Sequence, residues 1–239
     1  MDTRATKLKN LTTEFYNQIP IEFDTTRSYQ WVGWKKIVDF AKGKKYSPRY
    51  VLDIACGNGR FVETAKEFAQ KDFKYLGIDL NSMLLAYAEN KYSTEDIEFK
   101  KIDIYYDWEL KNKYDCIVAM GITHHLVDKD SRKDFFQKIY NALGEKGFAV
   151  VTFWDFLSHP SLSKKIVKVD VEHINLLKDL GENDYILNWK KGKISYRYAH
   201  YYLEEEILEL FKNSKLKILS SYRADGQSGS SNLYFILSK

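Results

Sequence analysis

VLDIACGNGRF at residues 51–61 and YLGIDLN at 75–81 decide the fold of this chain. The first stretch reads as an apolar strand that runs into a glycine-bearing loop and then a helix start. The second reads as another apolar strand, ending on an acid. In an α/β sheet this order of parts builds a pocket for an adenosine-containing cofactor at the carboxyl ends of the strands. Gly57 and Gly59 let the backbone come close to a ligand, and the helix start offers free N–H groups. Asp79 stands where it accepts hydrogen bonds from ribose hydroxyls.

A dinucleotide fingerprint needs G-x-G-x-x-G, and here Gly57-Asn58-Gly59 is followed by Arg60, Phe61 and Val62 without the third glycine. Asp53, inside the first strand, would repel a pyrophosphate but suits the ammonium of a methionine moiety. The pattern D-x-x-x-G-x-G, from Asp53 to Gly59, resembles the first motif of the class I S-adenosylmethionine-dependent methyltransferases, with Ala55 at the family's usual first glycine. That resemblance implies S-adenosylmethionine as cofactor. It places Asp53, Ala55, Cys56, Gly57, Gly59, Asp79, Leu80, Asp103, Ile104 and Met120 around it.

The chain has 239 residues, enough for one large α/β domain with a substantial core. Its net charge of +4 is too weak a bias to demand a nucleic-acid partner and does not oppose one. Lysines cluster in KGKK (42–45) and KKGK (190–193), patterns more often a solvated surface than a phosphate track. Cys56 and Cys116 lie in apolar contexts without metal-ligand spacing, so neither a disulfide framework nor a metal site is expected. The start lacks an apolar signal region and no run has the length of a membrane span, which points to a reducing, cytoplasmic setting.

Along the chain, 81–92 reads as a helix, IEFKKIDI (97–104) as a strand, YDCIVAM (114–120) as a buried strand and 132–143 as a helix. GEKG (144–147) reads as a turn into the strand GFAVVTFW, 203–211 as a helix, and LKILSSY and NLYFILSK as a closing hairpin. This alternation predicts a Rossmann-like, doubly wound α/β sheet of seven strands, mostly parallel with a C-terminal antiparallel hairpin. One domain spans 1–239, with N-terminal helices in an aromatic cap (1–47) and a substrate-recognition insertion (155–202) after the fifth strand.

Within the superfamily, no D/N-P-P-Y/F/W motif follows the fourth strand, and Cys116 sits mid-strand rather than on a loop, as a core residue does. MGITHHL (120–126), the strand ending Phe153-Trp154, and RYAHYYLEEEI (197–207) resemble the tRNA wobble-uridine carboxymethyl methyltransferases. Arg197, Tyr198, His200 and Tyr202 match that family's R-Y-Y-H-L/Y-[FY] hallmark, with Ala199 in place of a tyrosine. Tyr16, Asn17, Phe23, Thr26, Arg27 and Trp31 match its N-terminal pattern, and Trp189 an x-W-K; in the tail, Leu233 stands where the family has tryptophan. The resemblance implies esterification of 5-carboxymethyluridine in the tRNA anticodon loop. It also admits a small zinc-binding activator subunit, with the strand 97–104 as the candidate docking edge and the aromatic N-terminal segment as the alternative cover for that edge.

A carboxylate nucleophile, with a pKa near ~4, needs no general base. It needs a cationic or hydrogen-bonding cradle, because an anion does not enter a closed pocket unpaired. Arg27, Arg197, His124 and His200 are the candidates, and Arg27 has the alternative of holding the cofactor's carboxylate. His125 is as readily structural, and Tyr16 and Trp31 read as packing. Two other readings compete: a small-molecule O- or N-methyltransferase on the same core, and a non-catalytic cofactor-binding subunit. Intact Asp53, Gly57, Gly59, Asp79 and Asp103 argue against the second.

Overall fold

The apolar residues before the glycine loop form β1 (Tyr50–Ile54), with β2 (Lys74–Asp79) on one side and β4 (Tyr114–Ala119) on the other, both parallel to it. The computed structural model describes residues 3–27, 29–106, 113–168, 178, 180–189 and 194–239. β3 (Ile97–Lys101) lies outside β2 and β5 (Leu143–Trp154) beyond β4, again parallel. β9 (Asn232–Ser238) runs antiparallel between β5 and β8 (Lys217–Ala224), giving the order β3-β2-β1-β4-β5-β9-β8. This is the doubly wound sheet with its C-terminal hairpin, as the alternation of elements predicts.

Alternate strand residues face opposite sides of the sheet, and both sides are buried. Val51, Cys116, Val118, Phe148 and Val150 pack under α3 (Val32–Gly43), α4 (Phe61–Lys66) and α5 (Ser82–Tyr92). Leu52, Ile117, Ala119, Ala149 and Val151 pack under α6 (Lys129–Ala142) and α8 (Glu204–Ser214). Cys116, wholly buried in the first of these layers, is a core residue. Side-chain caps start two of these helices: Asn81 accepts from Met83 and Leu84, and Asp128 from Ser131.

Outside the sheet, α1 (Thr3–Gln18) packs on a separate antiparallel ribbon of β6 (Asp184–Trp189) and β7 (Ser195–His200), burying Ala5, Leu8, Ile186 and Tyr198 together. α2 (Pro20–Thr26) follows α1, and the short α7 (Pro160–Ser163) precedes the ribbon. Among the described residues no helix is long and apolar enough to cross a membrane. The lysines at 190–193 lie outside the described residues.

Two sequence expectations change. The strand expected over 97–104 stops at Lys101, because Asp103 turns the chain by accepting from the Tyr105 amide at 3.0 Å. GEKG is drawn into β5 as a bulge: Leu143 stands opposite Tyr114 and Phe148 opposite Cys116, so the intervening residues loop out of register. A side chain at Gly147 would stand 2.8 Å from the Asp115 carbonyl oxygen, which explains glycine there.

Candidate active site

The loops that leave β1, β2, β3 and β4 converge on a cavity of about 300 Å³, walled on its other side by α1, Phe23, Arg27, Trp31, Trp154 and Arg197. The glycine loop reaches it by way of left-handed backbone at Ala55 (φ 59°), Gly57 (φ 56°) and Gly59 (φ 72°). Both oxygens of Asp79 hold this corner together, one accepting from the Gly57 amide at 2.9 Å and the other from the Asn81 amide at 2.8 Å. Burial pushes the Asp79 carboxyl up from its ordinary value against the pull of those amides. Asp53 accepts from the Tyr75 hydroxyl at 2.5 Å, and burial pushes its carboxyl up to about 7.

Of the sequence-predicted cofactor residues, Asp53, Ala55, Cys56, Gly57, Asp79, Leu80, Asp103, Ile104 and Met120 all line the cavity. Gly59 does not. Its missing side chain makes room for packing, since a Cβ there would stand 2.9 Å from Ala88 and 3.0 Å from Phe99. Asp103 is engaged by Lys9 of α1 at 2.5 Å, and the Lys9 ammonium also lies over the Tyr105 and Tyr106 rings.

Arg27, Arg197 and His124 come together on the opposite wall, and His200 is the correction. His200 is buried behind that wall, between Asp184 and Glu206. Strand geometry is the reason: Arg197 and His200 lie three residues apart on β7 and so project from opposite faces. Nor does Asp184 pair with Arg197, because its oxygens are taken by Arg4, Tyr198 and His200.

His124 is no cation at neutral pH. Burial holds its imidazole well below the usual range, helped by neighbouring His125 and Arg197, and its Nδ1 has no hydrogen-bond partner among the described residues. His125 Nδ1 lies 2.9 Å from the Tyr198 carbonyl oxygen, which only accepts, so Nδ1 carries the hydrogen. Nε2 therefore accepts from the Tyr16 hydroxyl at 3.0 Å, and the Tyr16 oxygen accepts from Arg197 Nη1 at 3.2 Å. Burial, with Arg197 nearby, drives His125 down to about 3, consistent with that neutral tautomer.

Three guanidinium groups face the cavity without a carboxylate partner among the described residues: Arg27, Arg60 and Arg197. Arg197 stacks on Trp154 and Phe15 at 4.8 and 5.0 Å, and Arg60 lies against Trp31 and Trp34 at 5.0 and 5.1 Å. Burial lowers Arg27, and lowers Arg60 to about 10, with Arg27 as its next largest cause.

The whole architecture is shared with a solved S-adenosylmethionine-dependent methyltransferase of Clostridium acetobutylicum. The TM-score is 0.68 over 93% of this chain and 98% of that one, at 17% identity. Residues 51–147 match the family described as a methyltransferase domain. The core is therefore similar to methyltransferase domains, and its fold is the one seen in S-adenosylmethionine-dependent methyltransferases. S-adenosylmethionine is the cofactor on which that neighbour depends. A candidate methyltransferase of Encephalitozoon cuniculi is 25% identical over 86% of this chain and 86% of its own. One from Invertebrate iridescent virus 6 is 23% identical over 80% of this chain, which spans 63% of that relative's length.

Around this cavity the sequence reading missed four residues. Tyr16 and Trp31, read as packing, are both on the wall, and Tyr16 bridges Arg197 and His125. Arg60 directly follows the glycine loop, and its type and position were the available signal. Trp154, quoted only as a strand end, stacks on both His124 and Arg197.

Proposed function

We propose that the chain transfers the methyl group of S-adenosylmethionine to a carboxylate oxygen, and that the acceptor is 5-carboxymethyluridine at the tRNA wobble position. The observation that carries the carboxylate is the guanidinium pair Arg27 and Arg197, cavity-facing, beside Tyr16, with no carboxylate partner among the described residues. Arg27 and Arg197 are half-buried, where a cation without a counter-charge is costly, and an anionic ligand relieves that cost. The tRNA acceptor is supported by the RYAHYY resemblance, whose arginine is Arg197. It is supported too by the N-terminal pattern, of which Tyr16, Asn17, Phe23, Arg27 and Trp31 all face the cavity.

The lining fits the cofactor. Asp79 keeps free lone pairs toward ribose hydroxyls, Asp53 suits the methionine ammonium, and Leu80 and Ile104 offer apolar walls to adenine. When bound, S-adenosylmethionine supplies an electrophilic methyl group on a sulfonium. The chain's share of the work is alignment and exclusion of water. Arg197, fixed by Trp154 and Tyr16, presents a planar fork that matches a carboxylate. An ionised carboxylate requires no proton removal, so a neutral His124 contributes hydrogen bonding rather than base chemistry.

The test is methylation with labelled S-adenosylmethionine of tRNA lacking the terminal ester, followed by nucleoside mass analysis and mild alkali. The expected product is an alkali-labile ester on the wobble nucleoside. A base-stable label would remove the carboxylate. Label on small carboxylic acids with none on tRNA would remove the tRNA acceptor alone.

A further inference from the structure

Behind the wall that carries Arg197 lies a buried charge cluster that the cavity does not use. Asp184 accepts from Arg4 of α1 at 2.7 Å, from the Tyr198 hydroxyl at 2.6 Å, from the Gly181 amide at 3.0 Å and from His200 Nδ1 at 2.7 Å. The other ring nitrogen of His200 lies 2.9 Å from Glu206 of α8, which Arg132 of α6 holds at 3.2 Å. An ionised carboxylate only accepts, so both His200 nitrogens carry hydrogens and the ring is a cation.

We propose that His200 and Asp184 are positioning residues, a charged clamp that fixes α1 against β7 and so sets Tyr16 and Arg197 in the cavity wall. The route is continuous. Arg4 ties the start of α1 to Asp184, and Tyr198 ties β7 to the same carboxylate. The Tyr198 amide donates to Thr12 of α1, its carbonyl accepts from His125, His125 accepts from Tyr16, and Tyr16 accepts from Arg197. The clamp's functional meaning rests on the acceptor reading of that wall; its geometry does not.

The groups that face His200 are Asp184 from β6, Tyr198 and Tyr202 from its own segment, Arg132 from α6 and Glu206 from α8, with Arg4 of α1 beyond Asp184. Burial opposes charge on His200, but the two carboxylates outweigh it and hold the imidazole above its usual range. Burial likewise raises Asp184, and hydrogen bonds from His200 and Tyr198 more than reverse that. The clamp is complete while His200 is protonated and loosens as pH rises through the raised histidine value.

The test uses the full chain, with imidazole nitrogen NMR and amide hydrogen exchange on wild type, His200→Gln and Arg4→Gln. In wild type below the His200 transition, His200 is doubly protonated and His125 is the single Nδ1–H tautomer. As His200 titrates, α1 amides exchange at least tenfold faster while β1 and β4 do not change, and the His125 tautomer becomes mixed. His200→Gln shows the loosened pattern at every pH. If it does not fold, Arg4→Gln, which removes a half-exposed side chain, shows several-fold faster α1 exchange. The proposal is overturned if the His125 signature and α1 exchange ignore both the His200 titration and Arg4→Gln. Failure to methylate any carboxylate would remove the acceptor reading and leave these two readouts as they are.

Discussion

The two walls of the cavity are built in different ways. The cofactor wall comes from loops close in sequence, and its anchoring bond, Asp79 to Gly57, spans 22 residues. The proposed acceptor wall is assembled from parts far apart in the chain: Tyr16 meets His125 across 109 residues and Arg197 across 181. A wall made locally leaves a spacing motif in the sequence. A wall made by tertiary packing leaves only residue types. The two should also fail differently when mutated.

The sharpest break between them is Asp79→Ala. It removes the proposed ribose acceptor and strands two loop amides, so cofactor affinity should fall by about 1.5–3 kcal/mol and folding stability by a similar amount. Calorimetric titration and thermal melting read both. A folded variant with unchanged affinity would detach Asp79 from the cofactor.

Arg197→Ala should do the reverse, leaving cofactor affinity within about twofold and cutting acceptor kcat/KM roughly 10- to 150-fold, or ~1.5–3 kcal/mol. Arg197→Lys should recover only part, because an ammonium lacks the bidentate fork. Steady-state kinetics beside calorimetry separates the walls, and normal turnover in Arg197→Ala would move the acceptor elsewhere. Arg27→Ala decides which wall Arg27 serves: loss of cofactor affinity assigns it to the first, loss of kcat/KM alone to the second.

How far the sequence went follows the same division. Apolar alternation and helical spacing were enough for the sheet, because each strand and helix must bury its own face. The loop residues around Asp53, Gly57 and Asp79 were legible because their spacing is itself the geometry. His200 was misplaced although the signal was present: on a strand, residues 197 and 200 cannot share a face. Tyr16 had no such signal, since nothing near residue 16 announces a histidine from the fourth-strand loop. Gly59 was taken for a ligand-facing glycine because sequence shows that a side chain is missing, not which neighbour occupies the space.

A smaller effect probes the cofactor wall through pH. The Asp53 carboxyl, raised by burial to about 7, is largely neutral below that value in the cofactor-free protein. A folded-state value raised above the ordinary one near ~4 stabilises the free protein at acid pH, and that contribution is lost as pH rises toward 7. The cofactor's ammonium needs the ionised form, so binding must expel the proton below pH 7. Affinity should weaken roughly tenfold between pH 7 and 5.5 in wild type, and the slope should vanish in Asp53→Asn. Titration calorimetry in buffers of different ionisation heat would register the released proton. A flat profile in wild type would take Asp53 away from the ammonium.

The smallest expected effect lies at the one position where the glycine loop departs from the motif it resembles. Ala55 holds a left-handed backbone, φ 59°, in which a Cβ crowds the carbonyl at a cost of about 1–2 kcal/mol. Glycine removes that strain but gives back about 0.5–1 kcal/mol in unfolded-chain entropy. Ala55→Gly should therefore stabilise the protein by about 0.5–1 kcal/mol, a rise of roughly 1–4 °C in Tm for a domain of this size. Cofactor affinity should stay within about twofold, since the loop already has the shape that glycine would allow. A lower Tm would show that the Ala55 methyl packs usefully on the cavity wall. A large gain in affinity would show instead that this methyl intrudes on the cofactor, making the cofactor wall less finished than its motif suggests.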